Sequence, residues 1–117
     1  MPSTFHRTDR VSAELRRELG VLVHAAVRDH VLPSASVSDV EVSRDLDVAT
    51  VWIVSLLPEQ GEPAVQALNA LAAQLRGQLA RRIRLRRVPA LRFRYDASVD
   101  RGERIEALLR TSPPADA

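Results

Sequence analysis

The chain contains no cysteine and no lysine, only four glycines, and few aromatic residues: one tryptophan, one tyrosine and two phenylalanines. Without cysteine there is no disulfide, no thiolate nucleophile and no cysteine zinc site. So few aromatics leave a core built from Val, Leu, Ile and Ala. No apolar run is long enough to span a bilayer, and the N-terminus lacks the apolar stretch of a secretory signal. A cytoplasmic protein without membrane contact is expected. The missing lysine means that all 17 basic residues other than histidine are arginine. So complete a bias reflects coding composition, yet it has a consequence: planar guanidinium forks bind phosphate bidentately and stack on bases.

Acidic residues are also missing where they would matter most. From Pro63 to Tyr95 there is none, while Arg76, Arg81, Arg82, Arg84, Arg86, Arg87, Arg92 and Arg94 supply all the charge. The rest of the chain is net acidic, so the overall balance of +2 conceals a basic block on a faintly acidic body. Most solvated helix faces interleave both signs. A field of one sign suits a polyanion, because each neutralised phosphate releases condensed counterions.

At 117 residues the chain is sized for one domain. Residues 1–7 read as a loose arm, 8–111 as the domain and 112–117 as a disordered tail. Val11, Leu15, Leu19, Leu22, Val23 and Ala26 recur at helical spacing over Thr8–Asp29, with Thr8 or Asp9 as N-cap. Pro33 and its neighbouring serines end that helix. Val37, Val40 and Val42 mark a short strand, and Ser43–Asp47 a hairpin connection. Val48–Leu57 is apolar on both faces and reads as a central, well-covered strand. After a loop at Pro58–Gly61, the residues Val65, Leu68, Ala72, Leu75, Leu79 and Ile83 form one apolar helical stripe, with Pro63 in the first turn. Arg82 falls close to the edge of that stripe, which a bend near Gly77 would relieve. Leu91, Phe93 and Tyr95 then alternate with Arg92 and Arg94 as a third strand, anchoring the sheet on its helices. A short helix over 101–110 follows. The order helix-strand-strand-helix-helix-strand implies an α+β domain with helices on one face of a three-stranded sheet. It matches type II KH domains, which clamp nucleic-acid backbone with a loop between two helices.

Three segments carry a closer likeness. They are Arg10-Val11 leading into a helix that ends Val27-Arg28-Asp29; Val40-Glu41-Val42-Ser43-Arg44-Asp45-Leu46 running into Ala49-Thr50-Val51-Trp52-Ile53; and Leu85-Arg86-Arg87-Val88-Pro89-Ala90-Leu91-Arg92-Phe93-Arg94-Tyr95-Asp96-Ala97-Ser98. Together they resemble the ribosome-binding factor A family, from about Phe5 to Leu109. The resemblance implies a KH-like fold and binding to small-subunit ribosomal RNA during late assembly, with 16S rRNA processing as the process served. It implies neither catalysis nor a cofactor. The family bends its helix pair at an Ala-x-Gly kink, which alignment from Val88-Pro89 puts on Leu71-Ala72-Ala73. Ala73 stands where the family has glycine, and the nearest glycine is Gly77, so Ala72, Ala73 and Gly77 are the candidate kink residues.

Other features read as structure. Ser43 and Asp45 are turn chemistry, and Trp52 on a central strand reads as packing. His6, His24 and His30 share no metal-ligand spacing. There is no phosphate-cradling glycine loop, nucleophile elbow or zinc motif, so no enzyme, metal or small-molecule substrate is expected. The candidate RNA-binding residues are Arg76, Arg81, Arg82, Arg84, Arg86 and Arg87 on a monomeric binder of the small ribosomal subunit. The competing reading is a general RNA-binding or protein-interaction module with a basic face.

Overall fold

The computed structural model describes residues 3–98, with side chains from residue 9 onward. The expected helix over 101–110 and the expected tail lie outside the described residues. Helix α1 spans Ser3–His30, β1 Ser36–Val42, β2 Val48–Val54, α2 Gly61–Ala70, α3 Ala72–Arg82 and β3 Ala90–Tyr95, with a 3-10 turn at Pro58–Gln60. The sheet order is β1-β2-β3, with β1 antiparallel and β3 parallel to β2. The parallel crossover runs through α2 and α3, which pack on β3 while α1 packs on β1. This is the α+β, KH-like type II arrangement.

α1 reaches back to Ser3 rather than starting at Thr8 or Asp9. Residues 3–7, expected as a loose arm, include neither glycine nor proline, so nothing there breaks a helix. Its stripe of Val11, Leu15, Leu19, Leu22, Val23 and Ala26 is buried, as are Val65, Leu68, Leu75 and Leu79 of α2 and α3. These meet Val40, Ala49, Val51, Ile53, Leu91 and Phe93 from one face of the sheet. Fully burying each large aliphatic or Phe side chain stabilises the fold by about 1.5–3 kcal/mol.

Two strand details depart from simple alternation. Val37 and Val40 are three apart, an odd spacing for a strand, yet they pair with Ile53 and Val51 on the core side. A bulge between Val37 and Asp39 absorbs the extra residue, restoring the period. β2 is central but not covered on both faces by the described residues. Ala49, Val51 and Ile53 are buried, while Val48, Thr50, Trp52 and Val54 on the other face are only half-buried. The apolar content of that outer row made the strand read as two-sided.

Candidate nucleic-acid interface

The helix pair breaks at Leu71, whose backbone (φ −98°, ψ 6°) leaves the helical region between α2 and α3. Ala72 and Ala73 open α3, whereas Gly77 lies inside it with open space around its Cα and is not at the break. Nothing in Ala70-Leu71-Ala72-Ala73 disfavours helix, so the bend comes from the tertiary contacts that flank it. On one side, the Asn69 carboxamide meets the open edge of β3: its Nδ2 donates to Phe93 O at 3.0 Å and its Oδ1 accepts from Phe93 N at 2.9 Å. On the other, the Arg76 guanidinium donates twice to Val88 O, from Nε at 3.1 Å and Nη2 at 2.7 Å. The end of α2 is thus tied to the strand and the start of α3 to the loop that precedes that strand. No side chain caps α3.

The basic residues divide into two groups. Arg76 is tied to Val88 as described. Arg82 donates from Nε to Glu18 Oε1 of α1 at 2.7 Å, which accounts for its place at the edge of the apolar stripe. Arg87 lies 3.2 Å from Asp47 Oδ1 in the β1–β2 hairpin, an ion pair without hydrogen-bond alignment. By contrast Arg81, Arg84 and Arg86 are exposed and have no hydrogen-bond or ion-pair partner among the described residues. Arg81 stands in the last turn of α3, where positive charge also complements the helix dipole. Arg84, Arg86 and Arg87 are not on the helix but in the irregular segment that follows Ile83, because Ile83 turns extended (φ −124°, ψ 157°) and inserts into the core.

What this arrangement can do chemically is bind phosphate. It offers guanidinium forks at the end of α3 and in the segment after it, and among the described residues no group of His, Cys, Asp or Glu could hold a metal. No described helix is long and apolar enough to cross a membrane. The sequence model described as ribosome-binding factor A matches residues 7–109. The chain belongs to the ribosome-binding factor A family. Ribosome-binding factor A of Stenotrophomonas maltophilia (strain K279a) is 60% identical over 113 residues, covering 97% of this chain and 89% of that one. The protein of that name from Xanthomonas euvesicatoria is 63% identical over 111 residues, 94% of this chain and 85% of that one. Among solved structures, the crystal structure of ribosome-binding factor A from Thermus thermophilus aligns with TM-score 0.66 at 33% identity, covering 75% of this chain and 94% of that one. The Thermus thermophilus protein has also been fitted as a homology model into a cryo-EM map of a 30S complex; it aligns with TM-score 0.54 at 28% identity, covering 72% of this chain and 93% of that one.

Against the family's Ala-x-Gly kink, this member bends with Leu71 and Ala73 in the outer positions and takes its geometry from Asn69 and Arg76. Sequence reasoning did not single out Asn69: one polar residue near a helix end has no local signature. It also left Arg92 and Arg94 outside the candidate site, although their alternation with buried Leu91 and Phe93 already put both on the outer face of the sheet.

Proposed function

We propose that this protein is a ribosome-biogenesis factor that binds rRNA on free small subunits in the cytoplasm and assists their late maturation, including processing of 16S rRNA. The observation that carries the reading is the set of arginines Arg81, Arg84 and Arg86, without partners among the described residues and gathered at the end of α3 and in the segment after it. The 30S complex of the Thermus thermophilus relative supports the choice of partner. Phosphates would pair with the three forks, and N–H groups at the start of α3 add donors of the kind that helix N-termini present to anions. Binding is the whole of the mechanism. A binder moves RNA between conformations only by its difference in affinity for them, so free or immature small subunits are preferred to whole ribosomes.

The test is co-sedimentation. Wild type should pellet with free small subunits and much less with whole ribosomes. The variant Arg81→Glu/Arg84→Glu/Arg86→Glu should stay in the supernatant while keeping the wild-type circular dichroism spectrum. Unchanged pelleting of that folded variant, or equal binding to whole ribosomes, would overturn the assignment.

A further inference from the structure

The outer face of the sheet is covered by no helix among the described residues, and it is not an ordinary polar face. Across the three strands the register sets Asp39, Trp52 and Arg94 in one row and Glu41, Thr50 and Arg92 in the next. Trp52 Nε1 donates to Glu41 Oε1 at 2.5 Å, and the Arg94 guanidinium carbon lies 5.7 Å from the centroid of the indole. The indole is thus held from both sides, by a carboxylate on β1 and a cation on β3. Arg92 and Arg94 are exposed and make no ion pair among the described residues.

We propose that this face is a second nucleic-acid contact, one that takes a single-stranded segment: bases stack against the Trp52–Arg94 pair, and phosphates meet Arg92 and Arg94. The inference rests on the reading of the protein as an RNA binder and names what a second surface of it recognises. Unpaired bases stack on aromatic rings and guanidinium planes, with a sequence-tolerant gain of about 1–3 kcal/mol per base. A duplex offers phosphates but no free base faces, so it can use the arginines and not the indole. Charge sets the path of the strand. Glu41 and Asp39, the latter paired with Arg16 at 3.7 Å, line the β1 side, while Arg92 and Arg94 line the β3 side, so the backbone runs along β3 with its bases turned inward over β2. Because the Glu41 bond already fixes the indole, little side-chain freedom is lost on stacking.

The same strand links the two surfaces. β3 is entered through the segment carrying Arg84 and Arg86, and its inner face packs under α2 and α3. One RNA that presents a structured region to the helix side and an adjoining unpaired strand to the sheet side engages both, the second contact forming at high effective concentration. RNA whose strands have already paired loses the second contact. Recognition of an unpaired strand therefore supplies the affinity difference that a maturation factor needs.

Trp52 is the only tryptophan in the chain, so its fluorescence reports on this face alone. The probe is an unstructured oligoribonucleotide of about 10 nucleotides, within the range one binding surface covers, beside a duplex of the same length. The single strand should quench Trp52 saturably, and the duplex should bind without quenching. Arg92→Ser/Arg94→Ser should weaken the single strand about tenfold and reduce the salt slope by about 1.4. That effect is read by anisotropy of a labelled oligonucleotide, since loss of Arg94 itself alters the emission. The Arg81→Glu/Arg84→Glu/Arg86→Glu variant should keep the quenching while losing the small subunit. Absence of quenching in wild type that still pellets with small subunits would overturn this surface and leave the proposed function standing. Quenching in wild type that ignores small subunits would do the reverse. An emission change that follows protein concentration alone would assign the face to a second copy of the chain and sink the proposal.

Discussion

Val31 holds a left-handed backbone (φ 53°) that a β-branched side chain rarely adopts. The reason is local: α1 ends in a Schellman-type turn in which Leu32 N donates to Val27 O at 3.0 Å, and Val31 occupies the position that usually takes glycine. Its side chain is 87% exposed and contributes little packing in return. Val31→Gly should therefore raise stability by about 0.5–1 kcal/mol, read as a higher midpoint in urea; a lower midpoint would show that the isopropyl group packs after all. Gly61 is the opposite case. It is helical and buried, and a Cβ there would meet the Tyr95 ring, with Cδ1 at 2.6 Å and Cζ at 2.8 Å. Gly61→Ala should destabilise by about 1–3 kcal/mol through overpacking. Combining it with Tyr95→Ala should cost less than the sum of the two single changes, because the clash is then gone.

Elements in this fold are held as much by side-chain clamps as by apolar faces. The Asn69 carboxamide takes both the donor and the acceptor of Phe93 on the free edge of β3, which also closes that edge to strand addition. Asn69→Ala should cost about 1 kcal/mol, because water can replace part of what is lost at an exposed edge. Its signature is faster hydrogen exchange at the Phe93 amide, and unchanged protection there would refute the clamp. In the β1–β2 hairpin, Asp45 accepts from Ser43 Oγ at 2.7 Å and from Asp47 N at 3.0 Å. The Ser43 hydroxyl first, and then the Asp47 amide, hold its carboxyl below the ordinary value of 3.8. A lowered folded value means that the stabilisation is present above pH 3.8 and lost as the pH falls through the folded pKa. Titration of the Asp45 carboxyl by NMR should place its midpoint below 3.8, and Ser43→Ala should move it back up.

At the scale of the molecule, the basic block splits by function. Arg76, Arg82 and Arg87 are engaged with described residues, while Arg81, Arg84 and Arg86 have no partner among them. Replacing the unengaged three with Ser should lower the slope of log affinity against log salt by about 2–3, and replacing the engaged three should lower it by less than half as much. Equal slopes would mean that the internal partners give way to phosphate. How much of this was legible follows from range. Periodicity in α1 and the alternation in β3 are local, and they located those elements; the element order then gave the fold. The bulge at Ser38 showed only as an odd Val37–Val40 spacing. The break at Leu71 had no local signal, since Ala-Leu-Ala-Ala favours helix and the contacts that bend it lie 24 residues away at Phe93 and 12 residues away across Arg76 and Val88; only the family resemblance pointed to Leu71-Ala72-Ala73, while the bend sought near Gly77 falls inside α3. Arg82 could not be sorted from its neighbours because Glu18 is 64 residues distant.

The parallel pairing of β2 with β3 has a consequence in time. β2 can join β1 as soon as their hairpin is made, but its other edge waits until residues 55–89 have been synthesised and Ala90–Tyr95 follows. At about 5–20 residues per second the wait is roughly 2–8 s. Throughout it the nascent chain presents the unpaired edge of Val48–Val54, a strand rich in valine and isoleucine and free of charge. That interval is when an emerging chain is most exposed to strand pairing with a neighbour on the same message, and the arrival of β3, with Asn69 closing the new edge behind it, ends the exposure.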